Sequence, residues 1–459
     1  MSTIQAELLI KNCYVITMNE AGDCFEHGAI AVIGNKIAAV GTDDELSRRF
    51  DAAQVIDARG GIVHPGFIDT HVHFMNTARG AFPDTLPTSD MMNSLRRWWD
   101  ATQEEDERAA TYLNCLEMLS NGTTCFLEAG TLQYPDASAD AAESVGIRGF
   151  IGDPFLWDLP ASPDTFSMPR VPRNLDRSLQ LLGGQLKRNK GEPLIRGCIA
   201  LFGLGSASVE LMKAAKNMAD SHSVIFTQHQ SYDYSDAEAD AARLGARALC
   251  HYADHGIIGE NCTFSHMNDL SCDEVVAAHR AGMSAVWCPA TSMNLGTSAA
   301  RHARHLEMLR MGVNISLASD GVSSGCRYDI GLQGLLALLS SRSRAEDRSI
   351  ISAYDVLELS TIRGAKAVGM AEEIGSIEVG KFADLVIRST DLPEAQPYSD
   401  PIQSLVYNCG SKSVAQVIVN GKAVWSNGHP TLVEASKVYR LAQASHNRMT
   451  KRMMVPTNC

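Results

Sequence analysis

The stretch Gly61-Ile-Val-His-Pro-Gly-Phe-Ile-Asp-Thr-His-Val-His73 decides how the rest of the chain is read. It reads as a short apolar strand ending on two imidazoles, His71 and His73, with one residue between them. Side chains two apart on a strand point to the same face, so both rings can reach one point. A metal ion asks this of neutral imidazole. A His-x-His pair alone is a weak sign, because such pairs recur by chance.

Upstream of this stretch the chain is rich in strands. Residues 7–18 form a β-rich run, and residues 29–40 fold naturally about Gly34-Asn35 as a hairpin. Downstream, from about residue 69 to 360, strand-like runs alternate with amphipathic helical ones. Thr102-x-x-Glu105 makes a capping box before a helix expected to stop at Asn121-Gly122, and residues 123–128 then read as a buried strand. Further strands are expected at 197–202, 223–228, 262–265, 284–288 and 314–319. Such alternation implies a parallel sheet, and its length suits a closed (β/α)8 barrel. After a helix capped by Ser352-x-x-Asp355, strands return at 374–387 and 414–425, the second with the hairpin signal Asn420-Gly421. The strands at either end are too few to bury a core, so they are expected to pair. The reading is an α/β chain: a TIM-type barrel (64–373) beside a small composite β-sandwich built from both ends (1–63 and 374–430), with a helical tail (431–459).

Bulk properties narrow the function classes. With 459 residues, 45% hydrophobic and 20% charged, the chain can bury a large core and a smaller one. A formal charge of -13 argues against nucleic acid or an anionic membrane as partner, since both want a basic face. The N-terminus lacks the basic and apolar regions of a secretory signal, and no apolar run is long enough to cross a bilayer. Twelve cysteines without a Cys-x-x-Cys pair fit free thiols in a reducing cytoplasm. The expected partner is therefore a small molecule.

In a (β/α)8 barrel the C-terminal ends of the strands form the active face. Polar residues stand where candidate strands end: the His71/His73 pair, His229, His266 and Asp320. Each alone is more often structural than a ligand; their coincidence at equivalent strand ends reverses that. Imidazoles with one carboxylate suit Zn²⁺ or Fe²⁺ with a position open for water. Asp320 could bind the ion and also take the proton of the water, while His266 could orient the water or stabilise developing oxyanion charge.

These residues resemble the amidohydrolase superfamily, and within it the cytosine-deaminase-like branch with the s-triazine, guanine and adenosylhomocysteine hydrolases. Residues 65–73 resemble its first-strand motif, Arg79-Gly80 follows, Asp320-Gly321 resembles its eighth-strand motif, and 375–386 and 417–424 resemble its C-terminal β signatures. The resemblance covers almost the whole chain. It implies a hydrolase of non-peptide carbon–nitrogen or carbon–halogen bonds, with one divalent metal, zinc before iron, held by His71, His73, His229 and Asp320. His266 would touch substrate or support the centre. No lysine stands at the fourth-strand candidate, 196–202, to bridge a second ion. Relatives are often oligomers, so a homo-oligomer is expected.

Two departures bear on the substrate. The family's deaminases have a glutamate three residues after the fifth-strand histidine, and here that place is Tyr232, with Asp233 and Asp236 nearby. Tyrosine is a poor proton shuttle at pH 7. This favours an amide, urea or carbamate bond, with Asp320 as sole shuttle, over attack on a nitrogen heterocycle, which the family's habits favour. The seventh-strand loop carries Thr291-Ser-Met before Asn294, and His302 and His305 follow either as a solvated face or as a pocket wall. Trp98-Trp99 and Tyr232 are either core and rim or a clamp for a flat ring. A non-enzymatic barrel would predict a broken ligand set, and all five positions are filled.

Overall fold

A computed structural model describes residues 3–160, 168–297 and 302–454. The chain begins as a sheet of β1 (Ile4–Ile16), β2 (Cys24–Ile33), β3 (Lys36–Thr42) and β4 (Phe50–Pro65). The stretch expected to be one strand is two: β4 ends at Pro65, and β5 (Phe67–Val72) begins after the single residue Gly66. A Cβ on Gly66 would lie 1.9 Å from the Thr124 hydroxyl oxygen, so a larger residue could not make this passage between sheets.

The barrel continues through β6 (Thr123–Glu128), β7 (Arg148–Ile151), β8 (Ile195–Gly197), β9 (Ile199–Gly203), β10 (Phe226–Gln230), β11 (Cys262–His266), β12 (Ser284–Trp287) and β13 (Asn314–Leu317). Neighbours run parallel in the orders β5-β6-β7-β8 and β9-β10-β11-β12-β13. β8 and β9 are one staggered strand broken at Cys198. A bridge between Val72 and Asp320 closes the ring, and the Asp320 N–H donates to the His71 carbonyl at 2.9 Å. Counting β8 with β9, eight strands surround the axis, as a TIM-type barrel requires.

The chain then returns to the first sheet with β14 (Leu385–Arg388), β15 (Val414–Val419), β16 (Lys422–Ser426) and β17 (His429–Pro430), giving the order β17-β16-β15-β14-β4-β1-β2-β3. Asn420 and Gly421 both take positive φ, the geometry of a two-residue hairpin turn. The long β4 joins the halves, parallel to β1 and antiparallel to β14. Leu8, Ile10 and Val32 from one chain end share a core with Leu385, Ile387 and Ile418 from the other, so neither end buries its apolar face alone.

The helix Glu104–Ser120 is capped one residue later than its sequence suggests. Gln103 is the cap, and Asp106 rather than Glu105 returns to its backbone N–H, at 3.3 Å. Asp106 is selected because Arg448 and Arg452 of the helix Ala435–Met454 also bind it, which pins the tail to the barrel. No helix among the described residues is long and apolar enough to cross a membrane.

Candidate metal centre

The C-terminal ends of β5, β10, β11 and β13 bring His71, His73, His229, His266 and Asp320 together. His71 lies 4.8 Å from His73 and 4.7 Å from His229 by ring centroid, in both cases edge to face. His73 and His229 stack at 5.0 Å with their Nε2 atoms 3.1 Å apart. Asp320 Oδ1 is 3.3 Å from His73 Nε2 and 3.9 Å from His71 Nε2. Donors about 2.1 Å from one zinc ion in a tetrahedron lie about 3.4 Å from one another, so these spacings fit a shared ion.

What stands behind each ring sets its tautomer. His229 Nδ1 lies 2.5 Å from the Phe202 carbonyl, which can only accept, so Nδ1 carries the proton. His73 Nδ1 lies 2.9 Å from the Thr131 hydroxyl, whose own proton goes to Glu128 Oε1 at 2.6 Å. Glu128 accepts further from the backbone N–H groups of Gly130 and Thr131, so the hydroxyl oxygen is left as acceptor for His73. Both rings therefore present a bare Nε2 lone pair to the other across 3.1 Å. Two facing lone pairs repel unless a cation lies between them. His71 Nδ1 lies 2.7 Å from the Ser265 hydroxyl, and its buried Nε2 has no hydrogen-bond partner among the described residues.

The electrostatics agree. Burial first, then the neighbouring imidazoles, holds His71 and His73 well below the usual histidine range, and burial lowers His229 to about 4. The His–Asp320 contacts are thus meetings of neutral rings with a carboxyl group, not ion pairs. Burial raises Asp320 to about 6, opposed by the Gly321 N–H and by Thr291. The chemistry of the donor set, three neutral imidazoles and one carboxylate, suits a divalent ion. The fourth barrel strand, β8 with β9, carries no lysine.

His266 sits beyond the trio at φ +72, parallel to His229 at 5.5 Å, with its Nδ1 unpartnered among the described residues. Tyr232 stands perpendicular to it at 4.8 Å, and the Tyr232 hydroxyl is buried without a partner among the described residues. Neither nearby carboxylate replaces the missing glutamate. Asp233 caps the helix Tyr234–Leu244, and Asp236 turns back to accept the Tyr232 backbone N–H at 2.9 Å.

Other expected substrate contacts are placed elsewhere. Trp98 packs on Phe82 and His446, away from the centre, and it is Trp99 that meets His73 edge-on at 5.7 Å. Successive helical residues point about 100° apart, so only one of the pair can face inward. Asn294 is exposed and ties its helix, Pro289–Asn294, to the Ser324 carbonyl at 2.9 Å. His302 is exposed. His305 is neither solvated nor in the centre: it is 2% exposed, lies flat on Trp287 and holds the His266 carbonyl through Nε2 at 2.7 Å. A cavity of about 610 Å³ is lined by Trp287, Ser292, Arg304, His305 and Arg344 and by none of the clustered donors.

Sequence reasoning missed Thr131, Glu128, Ser265 and Cys288, and it named Trp99 only together with Trp98. Ser265 directly precedes His266, and strand alternation would send it to the other face; the positive φ of His266 breaks that alternation. The Cys288 thiol, an Asp320 oxygen and a His266 nitrogen lie within 4.8 Å of one another.

A profile of the amidohydrolase family matches residues 62–424. The chain belongs to the amidohydrolase family. A 5-methylthioadenosine/S-adenosylhomocysteine deaminase of Syntrophobacter fumaroxidans is 29% identical over 426 residues, 92% of this chain and 94% of the relative. A 5'-deoxyadenosine deaminase of Methanosarcina mazei is 26% identical over 98% of this chain and 99% of its own. Among solved structures, a zinc-bound adenosine deaminase from Xanthomonas campestris superposes with a TM-score of 0.90 at 24% identity, covering 98% of this chain and 100% of that one. The zinc complex of atrazine chlorohydrolase TrzN from Arthrobacter aurescens gives 0.87 at 24%, covering 96% and 100%. As an amidohydrolase, the chain is a metal-dependent hydrolase of carbon–nitrogen bonds other than peptide bonds.

Proposed function

We propose that the protein hydrolyses a bond from a nitrogen heterocycle to an amine or halide substituent, using one divalent ion, zinc before iron, held by His71, His73, His229 and Asp320. The observation that carries the reading is the pair of bare Nε2 lone pairs on His73 and His229, 3.1 Å apart. When bound, the ion supplies Lewis acidity that brings the ionisation of a water near neutrality. Asp320 takes the proton of the attacking water and passes it on. His266, with its free Nδ1, orients the water or meets charge on the ring. Trp99, not Trp98, is the aromatic wall beside His73. The heterocycle is supported by relatives named for deaminating adenosine derivatives. His302, His305 and Asn294 have no part in this reading.

A second reading, cleavage of an amide, urea or carbamate, is favoured by one observation. The only side chain at the deaminase glutamate's place is a phenol, and Asp233 and Asp236 are both engaged locally.

The test is ammonia release from 5'-methylthioadenosine and 5'-deoxyadenosine by the purified protein, with metal content measured alongside. The expected result is metal-dependent turnover that chelation abolishes and added Zn²⁺ restores. A chain that carries one ion yet releases ammonia from neither, while hydrolysing aryl carbamates, would replace the first reading with the second.

A further inference from the structure

The deaminase glutamate does two things at once: it donates to the ring as water adds, and it carries a proton to the departing amine. Tyr232 occupies that place with different chemistry. Its ring is fixed perpendicular to His266 at 4.8 Å, and its backbone N–H is held by Asp236 at 2.9 Å, so the side chain has little freedom. Its hydroxyl is buried and bonded to nothing among the described residues. Of the groups this hydroxyl feels, Asp320 and Cys288 belong to the wall of the metal centre and Asp233 to its own loop. A buried hydroxyl without a partner is destabilising, and such a cost is retained where a ligand satisfies the group.

We infer that Tyr232 is a catalytic hydrogen-bond donor to the substrate atom that gains negative charge when water adds, and that it biases the enzyme toward leaving groups that depart without a proton. The inference rests on the heterocycle reading above. A phenol that stays neutral gives a hydrogen bond but keeps its proton. In hydrolysis of a ring C–Cl bond this suffices. The water oxygen bonds to the ring carbon, one water proton goes to Asp320 and on to solvent, and chloride leaves with the bonding pair. The ring recovers its electrons as the hydrogen bond from Tyr232 relaxes. In hydrolysis of a ring C–NH2 bond the bonding pair goes to nitrogen, which must gain a proton as it leaves. Asp320 is then the only carrier, and the step is slower.

The experiment compares 6-chloropurine riboside with adenosine as substrates for wild type, Tyr232→Phe and Tyr232→Glu, with metal content measured for each. Tyr232→Phe keeps the ring against His266, so the hydroxyl alone is removed. The expected wild type prefers the chloride by more than tenfold in kcat/KM. Tyr232→Phe loses about 10²-fold on both at unchanged metal content, the usual effect of one preorganised donor. Tyr232→Glu raises the amine rate relative to the chloride rate. A second readout needs no leaving group: purine riboside, which can add water but expel nothing, should bind Tyr232→Phe at least tenfold more weakly. An active wild type whose Tyr232→Phe variant keeps its rates and binding within twofold would overturn this inference alone. So would rates that fall only in proportion to lost metal. A metal-loaded wild type that neither binds nor turns over any of these nucleosides would overturn the heterocycle reading, and this inference with it.

Discussion

The two ends of the barrel treat buried polar groups in opposite ways. At the N-terminal ends of the strands, buried charged groups are matched. Arg148, at the start of β7, meets Asp384 through Nε and Nη2 at 2.7 and 3.1 Å, both side chains almost wholly buried. The Asn420 N–H also donates to Asp384, at 2.7 Å. Arg388 makes no ion pair among the described residues, yet all three guanidinium nitrogens donate: to His64, to the Cys409 and Gly410 carbonyls with the Ser413 hydroxyl, and to the Asn121 carbonyl. Burial lowers it to about 10, still charged at neutral pH. At the C-terminal ends the reverse holds: His71 Nε2, His266 Nδ1 and the Tyr232 hydroxyl are buried and unpartnered among the described residues. The lower end ties the β domain to the barrel; the upper end keeps donors and acceptors free for an ion and a substrate. Matched buried charges mark where the fold is held, and the cluster of unmatched donors and acceptors marks the candidate centre.

The contrast can be broken first at the upper end. Asp320→Asn should lower kcat by about 10³-fold or more, equivalent to ~4 kcal/mol in the barrier. The metal-free stability should change by no more than about 1 kcal/mol, because asparagine keeps an acceptor for the Gly321 N–H and removes a buried charge. Kinetics and urea unfolding of the metal-free protein check both halves. The lower end should behave oppositely. Asp384→Ala leaves Arg148 buried and unpaired, which costs about 3–5 kcal/mol of stability, seen as a lower unfolding midpoint.

Smaller changes sharpen the comparison. Thr131→Val removes the acceptor that fixes the tautomer of His73 and should weaken Zn²⁺ binding about 10–100-fold, read by competition with a chelating dye. Cys125 feels both Arg148 and Asp384, and burial pushes its thiol up to about 12. The raised value keeps it protonated at pH 8, so iodoacetamide should spare it in the wild type and modify exposed Cys24. In Asp384→Ala, alkylation of Cys125 should accelerate, which reports opening of the lower end by mass spectrometry.

The barrel was legible in the sequence because its strands alternate with amphipathic helices, and because β6, β11, β12 and β13 are apolar runs with clear stops. β7 was not: four residues, Arg148–Ile151, carry no period. The division at Gly66 was hidden because its cause, the Thr124 side chain, lies far along the chain. In the centre, the histidines and Asp320 were legible because strand ends repeat around a barrel. Thr131 and Ser265 were not, since what fixes an imidazole from behind belongs to another strand or loop. Trp98 and Trp99 could not be told apart without the rotation of their helix. His305 resembled a surface or pocket histidine, and Trp287 instead takes it into the interior.

The central claim is that one divalent ion lies between His73 and His229. Calorimetric titration of the metal-free protein with Zn²⁺, for wild type and His229→Ala, tests it most directly. The account predicts one tight site per chain in the wild type and its loss, by 10³-fold or more in affinity, in His229→Ala. Two tight sites in the wild type, or unchanged affinity in the variant, would contradict it.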